Sequence, residues 1–133
     1  ICKLEGGKLI SVVEWSEIAQ TDNGINGKTP DNVQSSLTGN EVVSMNVWAL
    51  PAGAFAFLED GIVNFFENSS EPSKDEFYLP SAIDNWISTG KAVFKAQLAS
   101  CKWMGVSYRE DKPVVMRSIE EMIRKGDYPS NLF

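Results

Sequence analysis

Strand-like and helix-like patterns alternate along this chain from residue 41 onward, and this alternation constrains the fold more than any other feature of the sequence. The strand-like segments are 41–50, 92–98 and 102–108. The helix-like segments are 51–61, 62–67, 77–88 and 111–126. Alternating strands and helices are typical of α/β proteins, because the helices cover the apolar faces of the sheet. We therefore expect an α/β fold.

Proline and glycine residues mark the ends of these segments. Pro51 and Pro80 stand where a helix tolerates proline, in its first turn. Gly61, Gly90 and Gly126 each follow a helical pattern and are good stop residues. The first of these glycines divides the pattern after Pro51 into two predicted helices.

A β-hairpin is predicted at the start of the chain. Segments 3–5 and 8–14 have strand character, and Gly6-Gly7 between them tolerates the positive φ that tight hairpin turns require. Segment 19–40 is rich in Thr, Asn, Asp, Gly and Ser and has little periodicity, which predicts a long loop.

The length of 133 residues is enough for one hydrophobic core and leaves little room for a second. We therefore expect residues 1–133 to form a single domain. Because the chain opens at Ile1 on a strand-like pattern without a start methionine, we also expect it to be a piece of a longer protein.

The net charge of −6 argues against nucleic acid as a partner, because a phosphate backbone is bound by a surplus of Lys and Arg. No apolar run approaches the ~18 to 20 residues that span a bilayer, so we expect no membrane partner.

Cys2 and Cys101 are too few for a disulfide framework, which favours a cytoplasmic setting. The chain has no histidine, so any chemistry falls to carboxylates, Lys, Arg, Tyr or a hard metal.

Five sequence blocks occur in the order found in a known family. They are VVEWSEI at 12–18, VSMNVWAL at 43–50, DEFYLPSAIDNWI at 75–87, KWMGVSYREDKPVV at 102–115 and GDYPSNLF at 126–133. In these blocks the chain resembles the nucleotidyltransferases that join a sugar 1-phosphate, or a similar phosphorylated small molecule, to a nucleoside triphosphate. The resemblance implies part of a Rossmann-like, glycosyltransferase-A type fold with a mixed sheet flanked by helices. It implies further that the chain is the C-terminal, sugar-binding side of such a protein.

The resemblance assigns ligand contacts to two residues. Glu14 matches a carboxylate that accepts hydrogen bonds from sugar hydroxyls, and Asn46 matches an asparagine on a neighbouring strand with the same role. The family commonly has a phosphate-binding lysine after the glutamate, where this chain has Trp15. Trp103 is a further candidate, because its ring could stack on a sugar face. The implied ligand is a sugar phosphate or a nucleotide sugar.

The resemblance also implies Mg²⁺ in the parent enzyme, which bridges the phosphate oxygens. The family's metal-binding aspartate aligns with Gly105. Three interpretations are open: Glu110 or Asp111 supplies the carboxylate, the metal is held elsewhere in the parent, or this branch has lost activity. The family's glycine-rich nucleotide loop is N-terminal and lies outside this chain, so we expect no catalysis by this chain alone.

Each candidate residue also has a structural interpretation. Glu14 and Glu110 are then solvated carboxylates, Asn46 belongs to a core hydrogen-bond network, Asp111 is a helix N-cap and Trp103 is a core residue. Two alternatives to the transferase hypothesis follow. One is a non-catalytic module that binds a small ligand or self-associates, and the other is a domain fragment that pairs through an exposed sheet edge. We expect a homo-oligomer.

Overall fold

The computed structural model describes residues 1–131, which form a mixed α/β structure with two small antiparallel sheets and three α-helices. The strands are β1 (Cys2–Glu5), β2 (Lys8–Val12), β3 (Ser16–Thr21), β4 (Gly24–Lys28), β5 (Gln34–Leu37) and β6 (Phe94–Lys95). The helices are α1 (Ala54–Asn68), α2 (Leu79–Ser88) and α3 (Lys112–Lys125), the last preceded by a 3₁₀ turn at Arg109–Asp111. The chain divides into two compact units, Ile1–Leu98 and a second that begins at Ala99, which is a finer division than the single domain expected from sequence.

The first sheet contains the predicted hairpin. Gly6 and Gly7 have φ angles of 55° and 76°, the left-handed values that this turn demands of both central residues. Strand β2 pairs with β1 on one side and with β6 on the other. The hairpin is confirmed, whereas β6 covers only two residues of the strand predicted over 92–98.

The second sheet is an antiparallel meander of β3, β4 and β5, so the prediction of a long loop over 19–40 is wrong. Every residue of β3 is exposed, which explains the lack of apolar alternation. Local turn chemistry fixes the hairpin between β3 and β4: Gly24 has a φ of 109°, and the Thr21 hydroxyl donates to the Gly24 carbonyl at 2.9 Å. Trp15 and Ile18 cover the buried Gly27.

The prediction of a buried strand over 41–50 is also wrong. Its one strand-like contact in the described chain is an isolated bridge, in which the Cys2 N–H donates to the Val42 carbonyl at 2.7 Å. Asn46 has a φ of 54°, and this left-handed residue interrupts the extended backbone. Val43 and Val47 are exposed to solvent.

The predicted helices agree with the structure better than the predicted strands do. Helix α1 passes through Gly61 and is one helix instead of the two predicted. A Cβ atom at Gly61 would lie 3.3 Å from Cζ of Phe77, so this glycine lets the aromatic ring lie against the helix. Helix α2 is confirmed, with proline in its first turn and Gly90 at a left-handed φ after its end. No helix within residues 1–131 is long and apolar enough to cross a membrane.

The core of the first unit lies where α2 packs against β2. Leu9, Val12 and Ile83 are buried there, and Ile83 has no exposed surface. Aromatic rings extend this core: Trp86 stacks on Phe57 with ring centroids 4.3 Å apart and meets Phe94 edge-on. This packing fixes α2 relative to the end of β2.

The second unit contains α3, which begins and ends as the sequence predicts, with Gly126 in the left-handed conformation after its last turn. The strand predicted over 102–108 does not form. Instead, the N–H groups of Ser107 and Tyr108 donate to Oδ2 of Asp111, at 3.1 and 2.9 Å. These bonds turn the chain into the 3₁₀ segment and are incompatible with a strand pairing of the same N–H groups.

Candidate functional site

An open cleft of about 580 Å³ lies in the first unit, between the end of β2, the segment after β4 and one face of α2. Two carboxylates line it, those of Glu14 and Asp84, together with the amides of Asn32 and Asn85. Five hydroxyl-bearing side chains complete the polar lining. The cleft therefore presents many hydrogen-bonding groups on a surface that helix and strand ends hold in place.

Helix α2 contributes a polar stripe to the cleft. The stripe consists of Ser81, Asp84, Asn85 and Ser88. Their spacing of three, four and seven residues places them on one face of the helix. Leu79, Ile83, Trp86 and Ile87 pack on the core from the other side. One amphipathic helix thus supplies both the core and a wall of the cleft.

Asp84 is fixed by a hydrogen bond to the backbone of β2. The N–H of Val12 donates to Oδ1 of Asp84 at 2.7 Å in a partly buried position. No hydrogen bond from the described residues reaches Oδ2, and no buried side-chain oxygen among them lacks a partner, so Oδ2 is not fully buried. The carboxylate is therefore held by one oxygen and offers the other as an acceptor.

Tyr78 stands at the start of α2, near the carboxylates of Glu76 and Glu14. A hydrogen bond to Glu76 raises the pKa of the Tyr78 phenol, and the charge of Glu76, burial and the charge of Glu14 add to that effect. The phenol therefore keeps its proton over a wider pH range than an isolated tyrosine. It is a neutral hydrogen-bonding group of the cleft.

The charges that line the cleft are negative. Among the described residues of its lining, Glu14 and Asp84 are ionisable acids and none is Lys or Arg. Such a lining suits hydroxyl and amide groups, which can donate to carboxylates.

Of the residues proposed as ligand contacts, Glu14 lines the cleft, directly after β2, with its side chain exposed. Asn46 is not among the cleft residues and is not a buried member of a strand. It is exposed, its Oδ1 accepts from Nε1 of Trp48 at 2.8 Å, and its N–H donates to the Ser44 hydroxyl at 3.0 Å. The cleft thus contains one of the two residues that the resemblance assigned to sugar binding.

Trp103 lies in the second unit, and 65% of its surface is exposed, so it is not a core residue. Its ring lies over Gly105: a Cβ atom there would come within 2.6 Å of Cζ2 of the indole. A side chain at residue 105 would therefore have to displace the Trp103 ring. Sugar stacking by Trp103 stays a prediction.

The candidate metal ligands Glu110 and Asp111 also lie in the second unit. Asp111 uses Oδ2 to accept the two N–H groups that form the turn before α3, and Glu110 is exposed. No group of three carboxylates or thiols within residues 1–131 is placed to hold a metal ion. Metal binding by Glu110 and Asp111 stays a prediction.

Sequence reasoning missed most of the cleft. The polar stripe of α2 has a visible signal, since its residues alternate with the apolar face of an amphipathic helix. The polar face of an amphipathic helix usually meets only solvent, however, and the sequence pattern of this stripe does not differ from that of such a face. Tyr78 and Asn32 carry no comparable signal, because only the folded chain brings these two distant positions to the same cleft.

Comparison with protein-family models finds no match to this chain. Comparison with curated proteins likewise finds no significant relative.

Proposed function

We propose that the first unit binds a small polyhydroxylated ligand of the saccharide class in the cleft, without transforming it. The observation that carries the proposal is the polar stripe of α2 beside Glu14. The cleft volume of about 580 Å³ is within the range of small-molecule sites, which is roughly 300 to 1,000 Å³.

Saccharide hydroxyls both donate and accept hydrogen bonds. The carboxylates of Glu14 and Asp84 accept such bonds strongly because they are charged, and the amides of Asn32 and Asn85 can do both. Asp84 is anchored before a ligand arrives, so little side-chain freedom is lost on binding.

A second candidate function is the transferase-derived one, favoured by the location of Glu14 in the cleft. The chain would then be the C-terminal, sugar-binding side of a cytoplasmic nucleotidyltransferase with a Rossmann-like, glycosyltransferase-A type fold. Its ligand would be a sugar phosphate or nucleotide sugar. Because Glu110 and Asp111 lack a third metal ligand in the described chain, Mg²⁺ would depend on residues of the parent protein.

The homo-oligomer expected from sequence belongs to a separate hypothesis, that of a domain fragment that pairs through an exposed sheet edge. Strands β3 and β5 are the outer strands of the second sheet, and outer strands offer unpaired backbone groups to another chain. Light scattering coupled to size exclusion tests this point. A monomer mass at all concentrations contradicts it.

Calorimetric titration separates the two candidates. Glucose, galactose, mannose, their 1-phosphates and the corresponding nucleotide sugars are titrated into the wild-type chain, Glu14→Ala and Asn46→Ala, with and without Mg²⁺. The saccharide-binding proposal expects Glu14→Ala to weaken binding about tenfold or more and Asn46→Ala to leave it unchanged, because Asn46 lies outside the cleft.

The transferase-derived candidate expects a different outcome. Both substitutions then weaken binding, and the phosphorylated ligands bind better with Mg²⁺ present. Absence of binding of every ligand to the folded wild-type chain contradicts both candidates.

A further inference from the structure

The side chain of Asp84 stands out among the polar groups of the cleft. It is the one ionisable group on the polar stripe of α2, and its Oδ1 is already occupied by the N–H of Val12 at 2.7 Å. The remaining oxygen accepts no hydrogen bond from the described residues and carries its share of the negative charge. A hydrogen bond alone could be made by asparagine, so the charge of this residue requires a reason of its own.

We infer that Asp84 determines the specificity of the cleft and selects the uncharged form of a saccharide against its phosphorylated form. This inference rests on the proposed saccharide binding. Asp84 and Glu14 come from different elements and both face the same cleft, so a ligand there meets two carboxylates. An uncharged ligand donates its hydroxyls to them, whereas a phosphate cannot donate and is repelled by both.

The surroundings of the cleft strengthen this selection. None of its described lining residues is Lys or Arg, so no cation in the lining compensates a phosphate. Like charges placed together without compensation disfavour a ligand and are a common source of discrimination. Glu14 is exposed, whereas Asp84 is partly buried and fixed to the backbone. The carboxylate of Asp84 is therefore held in place more firmly than that of Glu14.

The substitution Asp84→Asn tests the charge without removing the anchor. The asparagine Oδ1 can still accept the N–H of Val12, and only the charge and one acceptor are lost. The control is Asp60→Asn, which changes the net charge equally on the exposed face of α1, outside the cleft. The measured quantity is the ratio of dissociation constants for a sugar 1-phosphate and the matching free sugar, determined by calorimetry at low salt.

The wild-type chain is expected to prefer the free sugar by about tenfold or more, and Asp84→Asn is expected to reduce this ratio by about tenfold. Asp60→Asn should leave the ratio unchanged. If Asp84→Asn keeps the wild-type ratio, the inference is wrong, but the proposed saccharide binding still stands. The same holds if Asp60→Asn changes the ratio as much as Asp84→Asn does. A wild-type chain that binds no sugar overturns the proposed function together with the inference.

A second variant keeps the test independent of the Asp84 anchor. Ser81→Asp adds a carboxylate one turn earlier on the same stripe, in the first turn of α2, where an acidic side chain is favourable for the helix. It is expected to widen the preference for the free sugar several-fold. An unchanged ratio in this variant contradicts the selection by charge.

Discussion

The backbone N–H of Val12 donates to the carboxylate of Asp84 at 2.7 Å, and this bond joins the last residue of β2 to the middle of α2. The two residues are 72 positions apart in the sequence. Val12 is 2% exposed, and Ile83 beside Asp84 is fully buried. The bond thus lies at the edge of the core and holds α2, one wall of the cleft, against the end of β2.

Replacement of Asp84 by alanine is expected to destabilise the first unit by about 1 to 3 kcal/mol, because the partly buried N–H of Val12 loses its acceptor. Asp84→Asn keeps an acceptor and should cost less. Urea denaturation followed by tryptophan fluorescence measures the difference. Asp60→Ala, on an exposed face of α1, is the control and should change stability by less than about 0.5 kcal/mol. Equal effects of Asp84→Ala and Asp60→Ala would contradict a structural role for the bond.

The turn that the Glu41 carboxylate stabilises is expected to become less stable in acid. This carboxylate accepts the N–H and hydroxyl of Thr38 and the N–H of Gly39, and these bonds lower its pKa from 4.5 to about 2. Because the folded-state pKa is the lower one, the stabilisation is complete above the unfolded-state pKa. It is lost as the pH falls from there through about 2.

Carbon-detected NMR titration of the Glu41 carboxyl group measures this pKa directly. Thr38→Ala removes the hydroxyl but keeps both N–H donors, so the pKa of Glu41 should rise part of the way toward its ordinary value. The stability difference between the wild-type chain and Glu41→Gln should shrink as the pH falls below 4.5. A difference that is constant from pH 6 to pH 2 would be incompatible with the turn described here.

The pKa of Tyr78 should depend on both nearby carboxylates, and more on one than on the other. The hydrogen bond of Tyr78 to Glu76 is the main reason for its raised pKa, and Glu14 contributes least. Glu76→Gln should therefore lower the pKa of Tyr78 more than Glu14→Gln does. Ultraviolet titration of the phenolate, with Tyr78→Phe to identify its signal, measures both changes. The opposite order would place Tyr78 nearer to Glu14 than to Glu76.

Elements that rest on local chemistry could be predicted from the sequence. The first hairpin depends on Gly6-Gly7, and α2 and α3 depend on an apolar stripe with proline or glycine at the ends. The meander over β3 to β5 could not be predicted from apolar periodicity, because β3 is exposed throughout and its turns rest on polar side chains. Segment 41–50 has the composition of a strand, but Asn46 turns the chain there.

Only some residues of the cleft could be predicted from the sequence. The family resemblance predicts Glu14 as a ligand contact, and Glu14 lines the cleft. Asp84 acquires its role only when α2 packs on β2, since its anchor is a backbone group 72 residues away. Nothing in the local sequence around Asp84 specifies that partner. Tertiary packing therefore decides which polar residues of an amphipathic helix border a cavity.

Gly105 should report on the position of Trp103 in the second unit. A Cβ atom at residue 105 would lie 2.6 Å from Cζ2 and 2.8 Å from Cη2 of the indole, which is too close for either atom to stay in place. Gly105→Ala is therefore expected to displace the ring. Because 65% of the Trp103 surface is already exposed, the ring can move outward at a cost of less than about 1 kcal/mol.

The indole N–H resonance of Trp103, assigned with Trp103→Phe, measures the displacement. The wild-type chain and Gly105→Ala should differ in this resonance and in the fluorescence maximum of Trp103, with little change in the unfolding midpoint. Gly53→Ala is the control, since a Cβ atom at Gly53 meets no atom within 4 Å and Gly53 lies in the other unit. An unchanged Trp103 resonance in Gly105→Ala would show that the ring does not lie over Gly105. Residue 105 would then be free to accept a side chain.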